Sequence, residues 1–94
     1  MKINNPLFQA DMPDPDIIRA GACFYMVSTT MYHMPGAPIL RSEDLAHWEI
    51  VSYICREIAD NEIYRMENGR HAYAKGQWAT SLMRYRDRFY ACFV

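Results

Sequence analysis

The shortness of its apolar runs constrains this chain more than any other feature. Between Asp16 and Ile54 each run is cut by a turn signal before it can build a helix face. "DIIRAG" stops at Gly21. "ACFYMVSTTMY", residues 22–32, is rich in β-branched and aromatic side chains, which suit a pleated, half-buried surface. "MPGAP" is a turn punctuated by Pro35-Gly36 and Pro38, "APILRS" reads as a further strand, and "WEIVSYI" as another. Between these last two, "SEDLAHW" opens with Ser42 and Asp44, which can cap nearby backbone N–H groups and start one helical turn with Leu45 and Trp48 on one face. Residues 16–54 therefore predict about four short strands in one antiparallel sheet, the size and composition of a β-propeller blade.

The stretch "CREIADNEIYRMENGRHAYAKG" lacks this pattern and predicts a long irregular connection with one helical turn, closed by Asn68-Gly69 and Lys75-Gly76. "QWATSLMRY" and "RFYACFV" then form a hairpin about Arg86-Asp87. The chain stops at Val94, inside an apolar strand. The expectation is one full blade plus the first half of a second, in a truncated sequence whose open blade edges favour self-association.

With 94 residues, 51% of them hydrophobic, the chain is one small ordered domain. A net charge of −1 gives no reason to expect nucleic acid or an anionic membrane as partner, and Arg84, Arg86 and Arg88 read as a solvated strand face. No run approaches the ~20 apolar residues that span a bilayer. Cys23, Cys55 and Cys92 are odd in number and widely spaced, which predicts buried, reduced thiols; His33, His47 and His71 are scattered singly, so no metal site is assigned. "MKINNPLFQAD" has no apolar core of a secretion signal, which points to the cytoplasm.

One stretch asks for more than a strand. "QADMPDPDIIRAG" carries Asp11, Asp14 and Asp16, and fixes the middle one between Pro13 and Pro15. Two prolines restrict the loop, which suits a rigid turn or a catalytic carboxylate that must be held within hydrogen-bond reach of a water. Asp11 and Asp16 read as turn-forming or solvated.

Four stretches together resemble glycoside hydrolase family 43, the β-xylosidase and α-L-arabinofuranosidase group. "NPLFQADMPDPDIIRAGACFYMV" is similar to that family's opening, Asn-Pro, Pro-Asp-Pro and a Tyr-rich strand. "MPGAPILRSEDLAHWEIVSY" is similar to its Phe-Pro-Gly-x-Pro-Ile and Ser-x-Asp-Leu-x-x-Trp, "GQWATSLMRY" to its Gly-x-Trp-Ala-Pro-x-x-Arg-Tyr, and "RFYACFV" to its next strand. Thr80 stands where the family has proline.

The resemblance implies an all-β fold of the five-bladed β-propeller family, with residues 1–94 forming the N-terminal part of a catalytic domain. It implies inverting hydrolysis of β-xylosides or α-L-arabinofuranosides, with a xylo-oligosaccharide or arabinose-containing glycan as partner. It puts the general base at Asp14 and a sugar-stacking indole at Trp78. Trp48, in the turn motif, is expected in the core or between blades. The loop "TTMYHMPG" departs from the pattern. Met31, His33 and Met34 replace expected aromatics, and the Met31 thioether is the substrate contact assigned there. No cofactor is expected; some relatives carry an axial calcium ion, for which no ligand is assigned here. The family's acid Glu and second Asp match no residue of this chain, Glu43, Glu49, Glu57, Glu62 and Glu67 included, so the fragment alone is expected to be inactive. The alternatives are a non-catalytic carbohydrate-binding or self-assembling β-sheet fragment, and another five-bladed sugar-hydrolase family with a different stereochemical course.

Overall fold

The computed structural model of the chain describes residues 3–31 and 34–94. Its strands are β1 (Asp16–Ala20), β2 (Cys23–Val27), β3 (Gly36–Ser42), β4 (Glu49–Cys55), β5 (Ser81–Tyr85) and β6 (Arg88–Cys92), and no α-helix occurs among the described residues. β1 to β4 form one sheet in chain order, antiparallel throughout, and β5 and β6 form a separate hairpin. The four-strand meander followed by a hairpin is the predicted architecture.

Local chemistry explains each connection. Ala20 pairs with Cys23 across a two-residue turn, and Gly21 takes its first central position at φ +66°, where a side chain would be strained. Tyr85 pairs with Arg88 across Arg86-Asp87, as the sequence predicts. Between Ile39 and Leu40 the β3–β4 register shifts, so that Ile39 faces Ser52 while Leu40 faces Ile50, and Val51 is the extra residue of a β-bulge.

Two connections differ from expectation. The turn after β3 is not helical, because Leu45 sits at φ +65° and breaks the right-handed path. In its place stand two nested caps. The Ser42 hydroxyl accepts the N–H groups of Asp44 and Leu45, and Asp44 Oδ1 accepts those of Ala46 and His47. Trp48 closes this turn by donating its indole N–H to the Leu45 carbonyl at 3.0 Å, half-buried against Phe8. The predicted strand over 22–32 ends early, at Val27; Ser28, Thr29 and Thr30 follow as buried, non-strand residues. The connection after β4 is irregular, as expected, with hydrogen-bonded turns over residues 61–67 in which Asn61 Oδ1 caps Ile63 and Tyr64.

The apolar core is small. Val27, Ala37 and Leu82 are its buried centre, with Ile18, Tyr25, Ile39 and Ile54 packed around it. Leu82 comes from the hairpin, so the core joins sheet to hairpin. The Tyr25 and Phe89 rings meet across the same junction, 5.3 Å apart and tilted. Asp16, expected to be a solvated turn residue, is half-buried at the start of β1, and its Oδ2 accepts the N–H of Leu82 at 2.8 Å. The thiols also differ from expectation. Cys23 and Cys55 are only half-buried and Cys92 is exposed, because nothing in the described residues covers the outer face of β6. Arg84, Arg86 and Arg88 are exposed, as predicted.

Two predictions follow from this packing. A Cβ on Gly76 would lie 2.6 Å from the Met31 carbonyl carbon and the Thr30 oxygen, so backbone must move to admit it. Gly76→Ala should cost about 1–3 kcal/mol, seen as a lower urea midpoint; an unchanged midpoint would show the approach to be relaxed. Asp44 is held well below the usual carboxylate range, first by the His47 ring and then by the N–H groups of His47 and Ala46. Its folded value lies below its unfolded one, so its stabilisation is present above the ordinary aspartate pKa of about 4 and is lost as pH falls below that value. Thermal melts from about pH 7 to about pH 2 should show Asp44→Asn less stable at neutral pH and converging on wild type in acid.

Candidate active site

The Pro13-Asp14-Pro15 loop leads directly into β1. Asp14 is exposed, and its backbone lies at φ +48°, in the left-handed region. Proline after it disfavours αR, and aspartate tolerates the left-handed alternative better than most residues. The loop is anchored one residue earlier. The Pro13 carbonyl accepts two bonds, from Ser28 Oγ at 2.7 Å and from the Thr29 N–H at 3.1 Å. Ser28 is fully buried and Pro13 half-buried, so the anchor is partly shielded from water. Thr29 is 2% exposed, and its hydroxyl finds no partner among the described residues.

Trp78 lies on the segment that leads from the irregular connection into β5. It is 42% exposed, and its indole N–H donates to the Ala74 carbonyl at 3.3 Å. The two residues before it are buried: Gly76 donates its N–H to the Met31 carbonyl at 2.8 Å, and Gln77 pairs with Thr30 as an isolated antiparallel bridge. Thus the Asp14 loop and the Trp78 segment both hang from residues 28–31. Met31 belongs to this junction through its backbone, and its side chain is half-buried. Met34 has its thioether against Gly36, folded back over its own turn. His33 lies outside the described residues.

An apolar cleft of about 420 Å³ lies elsewhere, between sheet and hairpin, lined by Tyr25, Ile39, Ile54, Leu82 and Phe89 among others. It is a seam between packed elements and holds none of the site residues predicted from sequence. Among the described residues no three His, Cys, Asp or Glu side chains come together as a metal site.

The sequence matches the model of glycosyl hydrolases family 43 over residues 3–94. The chain belongs to that family. It is 34% identical over 86 residues to the non-reducing end alpha-L-arabinofuranosidase of Bacteroides ovatus, covering 92% of this chain and 16% of that protein. It is 30% identical over 94 residues to a beta-xylosidase of Bacillus subtilis, covering 100% of this chain and 17% of that one. A solved structure described as a bifunctional GH43-CE of Bacteroides eggerthii superposes with a TM-score of 0.81 at 35% identity, over 96% of this chain and 13% of the other. The chain therefore spans less than a fifth of the length of these family 43 relatives. Its fold is that of the family's five-bladed β-propeller, the meander being one blade and the hairpin the start of the next.

Sequence reading missed the polar junction. Ser28, Thr30 and Gln77 read as strand residues, yet they carry the bonds that set the loops. The available signal was the Ser-Thr-Thr run that breaks an apolar strand, and a glutamine beside a tryptophan. Ser28→Ala should remove one of the two bonds on the Pro13 carbonyl, at a cost of about 1 kcal/mol. Hydrogen exchange at the Thr29 amide should speed up as the loop loosens; unchanged exchange would show that the Thr29 N–H alone suffices.

Proposed function

We propose that residues 1–94 are the base-bearing N-terminal part of a glycoside hydrolase catalytic domain that cleaves β-xylosides or α-L-arabinofuranosides with inversion. The observation that carries this reading is Asp14 itself. It occupies the family's Pro-Asp-Pro position, and it stands exposed on a loop whose preceding carbonyl is pinned twice to buried backbone and hydroxyl groups. An inverting glycosidase needs a carboxylate to take a proton from water while a second, protonated carboxyl gives one to the leaving oxygen. Asp14 would supply the first role, with its oxygens free to meet the water. Trp78 would supply a flat apolar face for the sugar ring, and Met31 a soft contact beside it.

The proton donor is a different matter. Glu43 and Glu49, on the turn after β3 and at the start of β4, are engaged by Arg41; Glu62 and Glu67, in the irregular connection, are engaged by Arg70 and Arg65; and Glu57 is exposed at the start of that connection. A general acid needs the opposite setting, one that keeps its proton in place until the leaving group takes it. Residues 1–94 by themselves would then lack the acid, and their exposed Tyr85, Phe89 and Tyr90 would favour self-association.

The test is hydrolysis of 4-nitrophenyl β-D-xyloside and α-L-arabinofuranoside by residues 1–94, beside the gene product with any residues its reading frame adds after Val94. Activity should be confined to a longer product, and Asp14→Asn should lower it ~10²–10⁴-fold without changing its melting temperature. Residues 1–94 should elute from a sizing column as oligomers. Full activity of Asp14→Asn would remove the base assignment. Hydrolysis by residues 1–94 alone would place an acid among their own glutamates.

A further inference from the structure

The two residues proposed to face the sugar each follow a residue anchored to one buried segment. Pro13, before Asp14, is held by Ser28 and Thr29. Gln77, before Trp78, is held by Thr30, whose N–H donates to Gln77 Oε1 at 3.1 Å. The Gln77 side chain is only 1% exposed, and its other end is equally committed. Nε2 donates to Thr80 Oγ1 at 2.6 Å and to the Trp78 carbonyl at 2.5 Å. One amide thus grips the end of the first blade with its oxygen and the Trp78 peptide with its nitrogen. Thr80 stands where the family motif has proline, and a proline offers no hydroxyl to such an amide.

We propose that Gln77 is a positioning residue which sets the Trp78 indole relative to the Asp14 loop, so that sugar platform and base share one anchor. The inference rests on the reading of Trp78 as the platform. The indole is half out in solvent and held at its tip by a single 3.3 Å bond, so its place depends on its backbone, which Gln77 holds at the Trp78 carbonyl and the Val94 carbonyl holds at the Trp78 N–H, 2.8 Å away. Loss of the amide would leave the buried Thr30 N–H without its Gln77 partner.

The test uses the gene product, with any residues its reading frame adds after Val94, labelled with 5-fluorotryptophan. The Trp78 and Trp48 fluorine resonances are assigned by their loss in Trp78→Phe and Trp48→Phe. In Gln77→Leu the Trp78 resonance should move while that of Trp48 stays. Xylotriose binding should weaken about five- to tenfold, the worth of one buried hydrogen bond. Adding Gln77→Leu to Trp78→Ala should cost no further affinity, because both act through the same indole. An unmoved Trp78 resonance beside a native Trp48 resonance, or additive losses in the double variant, would overturn the proposal.

If Gln77→Leu does not fold, Gln77→Glu decides. Its protonated carboxyl keeps the acceptor and one of the amide's two donor bonds, and its carboxylate keeps no donor. A Trp78 resonance that follows this ionisation while Trp48 stays fixed supports positioning; one that is flat, or moves together with Trp48, overturns it. If the wild type binds no xylotriose yet Trp78 still follows Gln77, the glycan reading fails and the positioning role stands.

Discussion

Thr30 is the residue on which the rest of this structure hangs. Its N–H enters the Gln77 amide, its hydroxyl accepts the Ala37 N–H at 3.3 Å, and its carbonyl lies so close to Gly76 that a Cβ there would touch it. The two residues before it hold the Pro13 carbonyl. Three stretches far apart in sequence, at Pro13, Ser28–Thr30 and Gly76-Gln77, therefore meet at the end of β2, with Ala37 joining from seven residues on, and they meet through polar groups largely removed from water. A buried N–H left unpaired costs about 1–3 kcal/mol. The Ser28 N–H still reaches β3, at the Pro38 carbonyl, but Thr29 and Thr30 leave that ladder while staying buried, so their N–H groups must be met from elsewhere. The loops that carry Asp14 and Trp78 meet them, through the Pro13 carbonyl and the Gln77 amide, and this couples the placement of both loops to the stability of the blade.

The junction between sheet and hairpin follows the same logic with a larger apolar share. Leu82 completes the core of Val27 and Ala37, and Tyr25 meets Phe89. The Leu82 N–H, which opens the hairpin, is met by Asp16 from the first strand. Apolar contact supplies most of the attraction, and it is nondirectional. The Asp16 bond fixes where along the strand the hairpin docks. Directional bonds at a seam otherwise made of grease are what give one register over its neighbours.

Sequence alone reveals those parts of this fold whose causes are local. Gly21, Pro35-Gly36 and Arg86-Asp87 act on their own backbones, so the hairpins could be read directly. The Pro-Asp-Pro clamp is likewise local, and Asp14 stood out because of it. What stayed hidden depends on distant partners. Asp16 looks like any loop aspartate until Leu82, 66 positions away, is placed beside it. Gln77 looks like a strand residue until Thr30 arrives from 47 positions upstream. The helical turn expected after Ser42 failed for a local reason of a subtler kind. Ser42 and Asp44 each cap their own pair of N–H groups, and two caps in succession leave no room for a helix to propagate. Cys92 was misplaced because an apolar strand reads as buried, while β6 has no described neighbour on its outer side.

The distribution of carboxylates bears on how a propeller can divide a reaction between its blades. Inversion needs two carboxyl groups roughly 6.5–9.5 Å apart, one ionised and one protonated. Such a pair is hard to build within one blade. Adjacent loops of a single meander share the same solvent and the same arginines, as Arg41 shows by binding both Glu43 and Glu49. Two carboxyls in one such environment tend to be ionised together. Separate blades can offer separate surroundings, one open to water and one sheltered, across a gap wide enough for the attacking water and the sugar. On the proposed mechanism, Asp14 has the open surroundings that a base requires: an exposed loop at the start of β1, with its rigidity supplied by Pro13, Pro15 and the buried Ser28–Thr30 segment rather than by a cation. A base held by proline and backbone bonds keeps both carboxylate oxygens available to the water. A base held by a salt bridge would have to release its partner first.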